Sequence, residues 1–72
     1  MNNLNVAKIQ LNGHPYEINN GTNLYELLNK LKIEKNKVAI EVNGEIVEKN
    51  KYQNLVLNTD DKVEIVHFIG GG

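Results

Sequence analysis

The chain has 72 residues, enough for one small domain with a single core, and a domain of this size buries roughly 60% of the surface its unfolded chain exposes. It has no cysteine, which excludes a disulfide, a thiolate-ligated zinc site and a cysteine nucleophile and fits a reducing compartment. Eight lysines, no arginine and nine carboxylates give a formal net charge of -1, without the broad basic footprint of a nucleic-acid binder.

From Val6 to Leu11, Ala7, Ile9 and Leu11 alternate with Lys8 and Gln10, the period-2 pattern of a half-buried strand. Asn12-Gly13 supplies residues that accept the positive φ of a tight hairpin, so a second strand over about Tyr16 to Ile18 is expected to return antiparallel, with Pro15 at its start. Asn19-Asn20-Gly21 breaks that strand. Asn23 with Glu26 three residues on forms a capping box, Thr22 being the competing N-cap. Leu24, Leu27, Leu28 and Leu31 then fall at i, i+3, i+4 and i+7, which predicts an amphipathic helix lying against a sheet.

After the polar loop Glu34 to Lys37, Val38, Ile40 and Val42 alternate with Ala39 and Glu41, Asn43-Gly44 gives a second tight turn, and Ile46-Val47 begins a return strand. Glu48 to Asn54 reads as an irregular connection, polar except for Tyr52, which with Tyr25 is expected to cover the rim of the core. Leu55 and Leu57 return to the core, and Asp60-Asp61 reads as a solvated turn. The last strand is expected from Lys62 to about Ile69, with Val63, Ile65 and Ile69 buried and the strand lying centrally beside the first.

This order predicts an α+β domain of the β-grasp, ubiquitin-like architecture: one helix packed on a mixed four- to five-stranded sheet, residues 1–69, followed by a flexible glycine tail, residues 70–72. No apolar run reaches the roughly 18 residues of a membrane span, and residues 1–5 lack the basic and apolar regions of a secretory signal, so a soluble cytoplasmic (or organelle-stromal) protein without a membrane partner is expected.

The closing segment carries the functional signal. Three consecutive glycines at a chain end have chance odds of about 3 in 10,000 at average glycine content. Extended, they would project an α-carboxylate about 10 Å past the last anchored residue. Without Cβ atoms they would enter a narrow channel closed to other residues. A carboxylate is a poor acyl donor until adenylated, after which a sulfur nucleophile can convert it to a thiocarboxylate, so the expected reactive group is the carboxylate of Gly72, with Gly70 and Gly71 as the slim part an enzyme recognises.

Ile9-Gln10-Leu11-Asn12-Gly13, Leu24-Tyr25-Glu26-Leu27-Leu28, Val42-Asn43-Gly44-Glu45-Ile46-Val47 and above all Asp61-Lys62-Val63-Glu64-Ile65-Val66-His67-Phe68-Ile69-Gly70-Gly71-Gly72 resemble the ThiS family of thiamine-biosynthesis sulfur carriers over nearly the whole chain. The resemblance implies a protein cosubstrate and not an enzyme. An E1-like adenylating enzyme of ThiF type would use MgATP on Gly72, a cysteine desulfurase or rhodanese-type persulfide would donate sulfur, and a ThiG-type thiazole synthase would consume the thiocarboxylate. Residues 1–5 extend beyond the family's usual start and are given no role.

Val66, His67, Phe68 and Ile69 are expected to contact a partner; for Val66 and Phe68 the alternative is packing on the second face of the sheet. His14 and His67 lack ligand spacing, so no metal site is expected. Three other functions share parts of the pattern: a molybdopterin-synthase small-subunit (MoaD-type) sulfur carrier, a ubiquitin-like modifier joined to lysine, and an RNA-binding β-grasp module that would not need its glycines.

Overall fold

The computed structural model describes residues 5–69. The expectations placed on residues 1–4 and on Gly70, Gly71 and Gly72, including the flexible tail, lie outside the described residues.

β1 (Val6–Leu11) and β2 (His14–Asn19) pair antiparallel around Asn12-Gly13, whose φ angles of 49° and 84° make the doubly positive turn that matches the twist of the flanking strands. β2 is longer than expected because His14 and Pro15 continue the ladder opposite Leu11 and Gln10. Asn20 N–H donates to Asn5 C=O at 2.8 Å, which sets the ladder's parity. Pro15 therefore falls on the row facing away from β1, where its missing N–H removes no bond.

α1 (Leu24–Leu31) begins with the expected box: Asn23 Oδ1 accepts from Glu26 N–H at 2.8 Å, and Glu26 Oε1 accepts from Asn23 N–H at 3.0 Å. Thr22 does not cap it, because its hydroxyl donates to Asn19 C=O at 2.7 Å. Lys32 ends the helix in the left-handed region at φ 59°, its N–H on the Asn29 carbonyl. Leu24, Leu27 and Leu28 are buried, and Leu31 packs against them.

β3 (Val38–Val42) and β4 (Glu45–Ile46) form the second hairpin around Asn43-Gly44, with φ of 54° and 87°. Val47 N–H still reaches Ile40 C=O at 2.9 Å, but the chain then coils into a 3-10 helix over Lys49–Asn54, where an irregular connection was expected. This turn drives Tyr52 inward. The residue is 1% exposed, among the largest fully buried side chains, so it is core and not rim. Desolvation raises its phenol pKa above the ordinary value of 10.0. Tyr25 keeps the expected half-buried position.

β5 (Lys62–His67) takes the centre of the mixed sheet, in the order β2-β1-β5-β3-β4, parallel to β1 and antiparallel to β3. With α1 packed across one face, this is the expected β-grasp arrangement. Its core joins Ala7, Ile9 and Ile18 to the helix leucines, Val38, Ile40, Tyr52, Leu57, Val63 and Ile65. Ile69 does not belong to it. β5 stops at His67, which pairs with Val38 where β3 begins, and Ile69, past that limit, is 98% exposed. Among the described residues no helix is long and apolar enough to cross a membrane.

Candidate functional site

The first half of β5 is clamped from both sides. On the β1 side, Gln10 N–H donates to Asp61 C=O and Asn12 N–H to Val63 C=O, each at 2.9 Å. Toward β3, Asn43 N–H donates to Lys62 C=O at 2.7 Å while Asn43 Oδ1 accepts from Lys62 N–H at 2.9 Å. Asn43 Nδ2 donates to Asp61 Oδ1 at 3.0 Å, and Asp61 Oδ2 accepts from Asn58 N–H at 2.8 Å. The expected solvated turn is thus corrected in one respect: Asp60 is exposed at φ 76°, but the Asp61 carboxylate locks the entry of β5.

A second asparagine substitutes for a strand. In a parallel ladder the next acceptor for Ile65 N–H would be the Asn12 carbonyl, but β1 has ended and the chain is turning away. Asn12 Oδ1 takes that place at 2.7 Å. The Asn-Gly pairs were legible as turn formers; their hold on β5, 53 and 19 positions along the chain, had no local signature.

Beyond Ile65 the character changes. Val66 is 59% exposed, Phe68 60% and Ile69 98%, so the solvent-facing apolar groups anticipated from the sequence gather at the end of β5, and His67 between them is exposed too. Val66 lies opposite half-buried Ala39, leaving its upper surface open and not packed beneath a second layer. Phe68 N–H donates to Lys37 C=O at 2.9 Å, and the Lys49 ammonium lies 5.8 Å from the Phe68 ring centroid, within cation–π range. Lower on the same face Glu41 stands opposite Glu64, with Ile46, 72% exposed, next to Glu41. The apolar end of β5 therefore has lysines at its outer limit and carboxylates below it. Lys37 and Lys49 escaped sequence reasoning because the strand pairing and the 3-10 turn that bring them here leave no periodic trace.

The arrangement suits binding: it anchors the first half of β5 on both sides and offers exposed apolar side chains at its end. His67 and His14 are not brought together, His14 lying at the start of β2, and among the described residues no three His, Cys, Asp or Glu side chains could hold a metal ion. An open groove along β4, lined by Ile46, Val47, Glu48 and Leu55, does not include β5.

Comparison with known proteins bears on residues through Gly72. The model of the ThiS family matches residues 9–72. A thiazole synthase of Magnetococcus marinus is 48% identical over 65 residues, 90% of this chain, and the chain spans 20% of that protein's length. The sulfur carrier protein ThiS of Bacillus subtilis is 38% identical over 65 residues, covering 89% of this chain and 98% of its own. Among solved structures, the crystal structure of a thiamine biosynthesis protein (ThiS) from Geobacter metallireducens superposes with a TM-score of 0.78 at 32% identity, over 90% of this chain and 99% of that one.

Proposed function

The chain belongs to the ThiS family, and from that premise we propose that it is a sulfur carrier for assembly of the thiazole of thiamine, a protein cosubstrate and not itself a catalyst. Gly72 carries the chemistry. On a ThiF-type enzyme its α-carboxylate attacks the α-phosphate of MgATP and pyrophosphate leaves. The terminal sulfur of a cysteine desulfurase or rhodanese-type persulfide then displaces AMP to form an acyl disulfide, and a second thiol attacks the donor's sulfur, breaking the S–S bond, leaving a disulfide behind and releasing the thiocarboxylate. The resulting thiocarboxylate is consumed by a ThiG-type thiazole synthase.

The observation that carries this reading is that the family match runs through Gly72, across a strand clamped at its entry and ringed by exposed Val66, Phe68 and Ile69 at its exit. The clamp fixes where the segment leaves the domain. The apolar groups supply binding energy, since fully burying a large apolar side chain in a partner contributes roughly 1.5–3 kcal/mol. Gly70 and Gly71 form the slim spacer. The similarity to a thiazole synthase over one stretch of that longer protein supports a thiazole synthase as the consumer.

The test is intact-mass analysis after incubation with a ThiF-type enzyme, MgATP and a sulfur donor. The expected product is the chain with one oxygen replaced by sulfur, lost on removal of ATP or on truncation before Gly72. An unchanged mass would defeat the reading, and a conjugate to lysine would reassign the chain as a protein modifier.

A further inference from the structure

The hydrogen-bond parity of β5 defines an unused edge. Phe68 N–H donates to Lys37 C=O, so on β5 the backbone groups of Glu64, Val66 and Phe68 point toward β3. Asn12 N–H reaches Val63 C=O and Ile65 N–H reaches Asn12 Oδ1, so the odd-numbered residues point toward β1. β1 ends at Leu11, and Asn12 satisfies the last of these groups that the domain covers. The Ile65 carbonyl, both backbone groups of His67 and the Ile69 N–H follow on the same edge, with no partner among the described residues. A buried orphan of this kind would be costly, but His67 and Ile69 are exposed at the end of the strand, where their backbone groups are open to another chain.

We propose that the edge of β5 formed by Ile65, His67 and Ile69 is a strand-addition site, on which an extended segment of the adenylating enzyme hydrogen-bonds before the chain continues into Gly70. The inference rests on the sulfur-carrier reading. Its occupant follows from the chemistry of what comes next: glycines offer no side chains, so an enzyme that holds Gly70, Gly71 and Gly72 in an extended path must do so largely through their amides. One edge of β5 is already consumed by Ala39 and Lys37. The other is open at His67 and Ile69, next in sequence to the glycines, so a strand seated there that also held the glycine amides would join domain and glycines in one ladder.

Amide hydrogen exchange of the wild-type chain, free and bound to a ThiF-type enzyme, reads this directly, with the chain dissociated after labelling and resolved by NMR. Binding is expected to slow exchange at His67 and Ile69 at least tenfold. His67→Pro and Ile69→Pro remove the two outward N–H groups yet leave the Val66 and Phe68 amides on β3, and each should bind about three- to tenfold more weakly than its alanine counterpart. A complex that forms and adenylates Gly72 with the His67 and Ile69 amides still unprotected overturns the inference while leaving the function intact. So does protection in the free chain that grows with its concentration, which would assign the edge to a second copy. A wild-type chain that the enzyme neither binds nor adenylates overturns the function, and the inference with it.

Discussion

Single side chains bear unusual responsibility in a domain this small. Asn12 does two things at once: it accepts a φ of 49° and its Oδ1 holds Ile65 N–H at 2.7 Å. Asn12→Gly keeps the turn and loses the bond, so it should cost about 1 kcal/mol, the net worth of one hydrogen bond. Asn12→Ala also places a Cβ in the left-handed region and should cost about 1 kcal/mol more, both read by urea denaturation. Tyr52 makes a different prediction. Desolvation raises its folded pKa above the unfolded value of 10.0, so below that value the phenol adds no pH dependence. As pH climbs past it the unfolded chain loses a proton that the folded chain keeps, and stability falls until the folded pKa is passed. Tyr52→Phe should flatten this alkaline decline in a series of urea melts.

At the level of elements, α1 has a complete start and an imperfect stop. Asn23 caps it and, through Nδ2, donates to Gln53 C=O at 3.1 Å, tying the helix to the 3-10 turn. Asn23→Ala should lower stability by about 1 kcal/mol. Lys32 holds a left-handed C-cap that suits glycine, so Lys32→Gly should raise it by about 1 kcal/mol, and thermal melts of the two variants should move in opposite directions. The helix and both hairpins were legible because each writes its own period and punctuation into neighbouring residues. The 3-10 turn was not: six residues with one aromatic carry no repeat, and Tyr52 is buried by tertiary packing against a helix some twenty or more positions earlier. Ile69 misled for the complementary reason. Its alternation with Val63 and Ile65 is genuine, but a period cannot say where the neighbouring strand runs out.

At the scale of the whole molecule, the buried core side chains among the described residues run from Ala7 to Ile65, so deleting Gly70 to Gly72 should leave the urea midpoint unchanged while abolishing adenylation. That separation of stability from activity would distinguish an activated end from a structural one. The glycine run on which the proposed chemistry rests stands in the sequence itself; the apolar exit was partly readable, and the lysines beside it were not, since long-range pairing puts them there. The central place of β5 has one more consequence, which concerns biosynthesis. β1 and β3 are the first and third strands in chain order, yet neither has its inner neighbour until residues 62–67 exist. A nascent chain emerging from the ribosome holds two unconnected hairpins and a helix with nothing to close them, so cooperative folding waits for the final segment to be made. A prematurely terminated product would leave its core open to proteolysis, and the cell would discard it without any enzyme having to inspect its end.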